Sequence, residues 1–299
     1  MPKRLAIYNC STRAPTETEH NARARVLRNG LAVVGYALLE DFLRNRTVEV
    51  VERIGDGHTP FEELPKGIKL AATEGVFNAV RFQQRFMDRR DPDMILTLQE
   101  HARHVASTAE SSYSLSPFSF VHEQSNISSK DIEKVLQAFK VTSPWSAMGS
   151  VAGSCGVGVF ALKDAFEAAA NRRHAAAHQA DADIEYGDLS DYDVEALGVA
   201  VGFDLLISRA LRQILDANVA YLSRNGTIAG NHIGTRTLRY DGKKWWREVL
   251  AGNTRATNRN PSLQTLRVGA IGRARTGGQA VIVQDERGLP SAWYTPDTD

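Results

Sequence analysis

Cysteine is close to absent: Cys10 and Cys155 are the only two in 299 residues. Two thiols in unrelated surroundings form neither a zinc-ligand pattern nor a disulfide framework, so reduced thiols of a cytoplasmic protein are expected. No stretch reaches the roughly 18 uninterrupted apolar residues that a membrane-spanning helix needs. The basic start Met1-Pro2-Lys3-Arg4 lacks the long apolar run of a secretory signal, so neither a membrane partner nor export is expected. Internal repeats are missing. Gly149, Gly153, Gly156 and Gly158 crowd one stretch, but the Gly-Lys-Ser/Thr ending of a phosphate-cradling loop is missing, and residues 149–158 read as a flexible loop. Net charge is also nearly absent, at +1.

What is present is helical periodicity over most of the chain. Residues 1–17 read as a tail, 18–224 as one large helical domain and 225–299 as a small β-rich domain. Thr16 with Glu19 has the form of a capping box, and Leu27, Leu31, Val34, Leu38 and Phe42, three and four apart, predict the core face of a long first helix. Gly30 and Gly35 inside it imply close approach of a neighbour. Residues 47–53 either continue that helix or form a short strand. A second helix is expected over 68–87 with Val76, Phe77, Val80 and Phe86 for core, and a third over 94–105, with His101 and His104 on its surface. An irregular loop should follow over 106–127. Ser128 to Asp131 opens a short helix that Pro144 stops. Val159, Leu162, Phe166, Ala169 and Arg173 then share one helical face, which sets Arg173 at a packed or interfacial position. The acidic stretch Asp181, Asp183, Glu185 and Asp188 reads as a solvated loop, with Ser190 capping a final long helix that ends at Asn225-Gly226.

From Thr227 the pattern becomes short and alternating, with expected strands at 235–240, 244–250, 263–271 and 279–284 separated by turn residues. Residues 225–275 hold ten Lys/Arg against Asp241 and Glu248, a surplus of eight, so the rest of the chain carries about −7. Such an asymmetry suits a polyanion. Lys243, Lys244, Arg247 and Trp245 are the expected RNA-contacting group, with Tyr240 and Trp246 also able to stack on bases. The alternative is a basic sheet that buries its tryptophans.

The most informative stretch is Arg172-Arg173-His174-Ala175-Ala176-Ala177-His178. Together with Gly35-Tyr36-Ala37-Leu38-Leu39-Glu40-Asp41-Phe42, with Asn126-Ile127-Ser128 leading into Ile132 to Val141, and with the acidic turn before a last long helix, it resembles a HEPN domain of the RiboL-PSP-HEPN type over roughly residues 18–223. The fold expected is therefore mainly α, a HEPN-like helical bundle followed by a small basic antiparallel β domain. The resemblance implies metal-independent RNA cleavage of toxin or antiphage type, in which a ribose 2′-hydroxyl attacks the neighbouring phosphate. Histidine suits the proton transfers and a planar arginine suits the charge that builds on phosphorus. On this reading His178 is general acid or base, Arg173 clamps the transition state, His174 orients the pair, Arg172 holds substrate phosphate, and Glu40 supports or pairs with Arg173. Where relatives often carry glycine after the histidine, this chain has Gln179. His174 and His178 are also spaced like a metal pair, but no third ligand stands near outside the acidic stretch, so neither metal nor cofactor is expected.

Five residues around a helix is about 140°, so Arg173 and His178 converge poorly from one chain. A two-fold homodimer with a composite site, acting on RNA and open to an antitoxin or regulatory protein, is the expected assembly. The alternative is a non-catalytic module for RNA binding or dimerisation.

Overall fold

The structure, a computed structural model, describes residues 10–85, 92–120 and 126–295. Residues 1–9 of the expected tail, the end of the helix expected over 68–87 and the core place given to Phe86 lie outside these. Helix α1 (Thr18–Ile54) runs unbroken for 37 residues and absorbs the uncertain segment 47–53. It starts later than the capping box expected, with Glu17 at the cap and no side-chain cap bond.

The face of α1 that enters the core is not the one its leucines predict. Ala24, Arg28, Ala32, Tyr36, Leu39, Glu40 and Leu43 are buried, whereas Leu27, Leu31, Val34 and Leu38 stand 43–65% exposed. Two arginine- and glutamate-containing turns can face inward because each charge finds a partner. Arg28 donates to the carbonyls of Ile184 at 2.5 Å and Cys10 at 2.6 Å and pairs with Asp183, and Glu40 accepts from a backbone N–H. Buried charge is tolerated only when so matched.

Helix α2 (Lys66–Leu70), a π-helical turn (Ala71–Gly75) and α3 (Val76–Gln83) follow, then α4 (Pro92–Ser107). Val76 and Val80 are buried, but Phe77 is exposed. His101 is a correction: it is buried, stacked on Phe118 with ring centroids 4.0 Å apart, with Nδ1 2.9 Å from the Ser116 hydroxyl. The loop after α4 does wrap the core, delivering Tyr113 and Leu115 into it. Helix α5 (Ser129–Ala138) opens on a complete capping box between Ser128 and Asp131. The glycine-rich stretch expected as a loop is largely helical: α6 (Pro144–Ser154) begins with Pro144 in its first turn, where a missing N–H costs nothing. It lies so close to α8 (Tyr186–Leu215) that a Cβ on Gly202 would come within 2.7 Å of the Met148 carbonyl. Helix α7 (Leu162–His178) carries the arginine–histidine stretch. Helix α8 starts at Tyr186 and not at Ser190, whose hydroxyl donates to the Gly187 carbonyl within it. The short α9 (Val219–Leu222) ends the helical part. No helix among the described residues is long and apolar enough to cross a membrane.

The C-terminal sheet holds β1 (Gly234–Tyr240), β2 (Trp246–Leu250), β3 (Asn258–Asn260), β4 (Gln279–Gln284) and β5 (Pro290–Tyr294) in the order β3-β2-β1-β4-β5. Three pairings are antiparallel as expected, but β1 and β4 are parallel, with Thr237 opposite Ile282. A parallel pair needs a crossover. Helix α10 (Leu263–Gly277) supplies it, replacing the strand expected at 263–271. Ser262 caps it, and Leu266, Ala270 and Ala274, four apart, pack on Leu238, Val281 and Val283. The opposite face of β4 sends Ala280 and Ile282 into the helical core.

Candidate active site

Helix α7 is anchored through its apolar stripe. Leu162, Phe166 and Ala169 are buried, and the Phe166 ring sits 5.5 Å from that of Tyr36 and 5.6 Å from that of Trp145. Arg173 extends this stripe, as its spacing predicted, and arrives half-buried with little to hold it. One Nη donates to the Asn126 side-chain oxygen at 3.2 Å, while Nε is shielded from solvent and has no acceptor among the described residues.

The surroundings of Arg173 explain why Asn126-Ile127-Ser128 matters. The Tyr36 hydroxyl donates to the Ile127 carbonyl at 3.0 Å, and Glu40 accepts the Ile127 N–H at 2.6 Å. Both backbone groups of Ile127 are thus held by α1, which fixes Asn126 for Arg173. Burial pushes the Glu40 carboxyl above its ordinary range, against the pull of the Ile127 N–H and of the Arg173 charge. Glu40 and Arg173 therefore interact through space, but no ion pair closes between them among the described residues. Tyr192 of α8 completes the group, and sequence reasoning missed it. Its ring fills the space over Gly35, where a Cβ would lie 2.9 Å from Cε1, and its buried hydroxyl has no partner among the described residues. Gly35 was the available signal: a glycine in mid-helix implied a close neighbour, though not which one.

Arg172, the residue expected to hold RNA phosphate, stands between α7 and α8, with its guanidinium 3.6 Å from Asp188 and 3.3 Å from Glu195. The acidic stretch is therefore not a free solvated loop: Asp183 neutralises buried Arg28, and Asp188 and Glu195 neutralise Arg172.

His174 and His178 are exposed side by side, with ring centroids 4.8 Å apart and tilted by 52°. Helix α7 ends at His178. Gln179 leaves it with φ −113° and ψ 118°, extended backbone that any residue adopts, so this exit needs no glycine. His178 borders an open groove of about 640 Å³ between the end of α7 and the Asn29, Gly30 and Val34 turns of α1. Alongside, Val26, Leu27, Leu31, Val34 and Leu38 form an uncovered apolar stripe. Isolated exposed apolar residues are ordinary, but a continuous run marks an interaction surface. Among the described residues no three His, Cys, Asp or Glu side chains gather as a metal would require.

The expected RNA-contacting group is on the β1–β2 turn. Asp241 accepts backbone N–H bonds from Lys243, Lys244 and Trp245, each at 3.0 Å, which holds its carboxyl far below the usual range. Lys243 and Lys244 project from that rigid turn, with Lys244 Nζ 5.4 Å from the exposed Trp245 ring. Trp246 instead packs on the small core under α10. Arg247, also in the expected group, pairs with Asp241 at 3.0 Å. Arg236 and Arg273 are likewise engaged, on the fully buried Glu248, so the basic surplus is smaller at the surface than in the sequence.

The RiboL-PSP-HEPN family model matches residues 7–209, about two thirds of the chain. The chain belongs to this HEPN family. No curated protein and no solved structure matches it. HEPN domains are commonly ribonucleases or RNA-binding modules. In this HEPN chain the match ends within α8, leaving the sheet outside it.

Proposed function

We propose that this HEPN protein is a metal-independent endoribonuclease of toxin or antiphage type that acts in the cytoplasm as a homodimer. The observation that carries the reading is the setting of the arginine–histidine stretch. Arg173 rests on Asn126 through one hydrogen bond and keeps an Nε–H with no acceptor among the described residues. His178 lies at the rim of a groove whose other wall is the uncovered stripe of α1. A second copy seated on that stripe would bring the partner subunit's His178 to the same groove and close the angular gap that one helix leaves open.

In the composite site one His178 takes the proton from the ribose 2′-hydroxyl. The 2′-oxygen bonds to phosphorus and the P–O5′ bond breaks. The partner subunit's His178 protonates the departing 5′-oxygen, leaving a 2′,3′-cyclic phosphate and a 5′-hydroxyl. Arg173 neutralises the phosphorane oxygens. His174 orients His178, and Glu40 and Arg172 position the two helices. Lys243, Lys244 and Trp245 add RNA contacts, and a regulatory protein or antitoxin would act by covering the groove.

The test is cleavage of total RNA by the wild type and by two variants. His178→Ala should lower the rate by roughly 10²–10⁴-fold, and Arg173→Ala by about 10²-fold or more. Products should end in cyclic phosphate. Lys243→Glu with Lys244→Glu should weaken RNA binding and flatten its salt dependence by about one unit of slope per lost contact. RNA left intact by the wild type, but bound with those lysines required, would favour the second reading, a non-catalytic RNA-binding module; the pairing of Arg172 with acids instead of open solvent is the observation on that side.

A further inference from the structure

A half-buried arginine far along α8 lacks the partner its counterparts have. Arg28, Arg46 and Arg172 each meet a carboxylate. Arg209 closes no hydrogen bond or ion pair among the described residues, and its Nε is shielded from solvent without an acceptor. Its Nη1 lies against the Gly278 turn, 3.0 Å from where a Cβ would stand. That turn is the carbonyl end of α10, which tolerates a cation but here offers no acceptor in bonding geometry.

Arg209 borders a cavity of about 220 Å³, together with Gln213, Asn218, Thr227 and His232. Among the described residues no carboxylate lines it. His232 accepts the Ala229 N–H at Nδ1, at 3.2 Å, so its neutral ring carries the remaining proton on Nε2 and is a donor there. Tyr221 forms another wall, and behind it Lys140 donates to the carbonyls of Tyr221 at 2.9 Å and Ser223 at 2.6 Å. The cavity thus gathers a guanidinium fork, an imidazole, two amides and a hydroxyl, with the Lys140 ammonium behind the Tyr221 wall. A planar arginine fork matches phosphate oxygens. The volume falls below the roughly 300–1,000 Å³ of sites for larger ligands.

We propose that this cavity binds a phosphate group, either the free anion or the phosphate of a mononucleotide, and not an RNA strand. Its walls come from α8, from α9 and from the 226–232 segment that leads into β1, and Arg209 also lies against Gly278 just before β4, so the bound anion ties the helical core to the sheet. A ligand that binds only the folded state raises stability with concentration.

The experiment follows thermal unfolding of the full chain against inorganic phosphate, against 5′-AMP, and against sodium chloride at matched ionic strength. Phosphate should raise the midpoint beyond chloride, and Arg209→Met should abolish that rise while Arg209→Lys keeps part of it. A response to 5′-AMP at lower concentration than phosphate identifies a nucleotide as the source, and a response to phosphate alone identifies the free anion. If Arg209→Met does not fold, titration calorimetry on Thr227→Val and His232→Gln decides: phosphate affinity should fall about tenfold or more with the loss of a bond to a charged ligand. A phosphate effect no larger than chloride's, an Arg209→Met midpoint that rises like the wild type's, or unchanged affinity in the replacement pair overturns the site.

Discussion

Arg173 gains its position from the helical stripe and its readiness from what surrounds it. The stripe was legible in the sequence, because Leu162, Phe166 and Ala169 step into it at helical spacing. The resemblance singles out Asn126-Ile127-Ser128, but neither the bond from Arg173 to Asn126 nor the packing of Tyr192 over Gly35 was legible, since each joins parts of the chain that no local pattern links. Glu40 was legible as a partner, though its contact is with Ile127. A carboxyl whose pKa is raised on folding holds its proton more tightly in the folded state. Stability is therefore lost as pH rises from the ordinary value of 4.5 through the raised folded value. Glu40→Gln removes that titration while keeping an acceptor for Ile127. Urea midpoints measured across pH 4–8 should fall less steeply for the variant than for the wild type, and parallel curves would show that Glu40 does not carry the shift.

At the scale of elements, α1 shows why periodicity alone misplaced a face. Leu27, Leu31, Val34 and Leu38 step as a core stripe should, but so do Ala24, Arg28, Ala32, Tyr36 and Leu39. Hydrophobicity favours the first set. The ion pair of Arg28 with Asp183 and the fit of Tyr192 over Gly35 favour the second, and these are tertiary facts. On the proposed reading the exposed leucines are the seat of the second copy. Leu31→Asp with Leu38→Asp should convert a dimer to a monomer in light scattering with helicity retained, because surface changes cost the fold only about 0.5 kcal/mol or less. A wild type that is already monomeric at micromolar concentration would remove the composite site. In the same way α10 was hidden by the alternation of Leu263 to Ile271, which mimics a strand until Ser262 is seen as its cap.

For the molecule as a whole, the change of pattern at residue 225 was plain in the sequence, but the core crosses it. Ile228, Ala280 and Ile282 belong to the helical core. Trp293 donates to Asp204 at 2.6 Å and stands edge-on to Phe42 at 6.3 Å, and the Gln284 amide donates to the Cys155 carbonyl at 3.0 Å. A chain ending at Arg224 should therefore expose apolar surface, bind a hydrophobic dye and resist trypsin far less than the full chain. A truncated chain as protected as the full one would make the sheet a separable unit.

Asp204 also takes Arg46 at 2.6 Å and the Ser208 hydroxyl at 2.9 Å, so one carboxylate joins α1, α8 and β5. Closing that junction requires residues 46, 204 and 293 to meet across most of the chain's length. Contacts of such long sequence separation form late and slow folding. During synthesis, α1 and α7 leave the ribosome well before Trp293 does. The nascent chain thus stays incompletely locked until β5 emerges and Trp293 reaches Asp204.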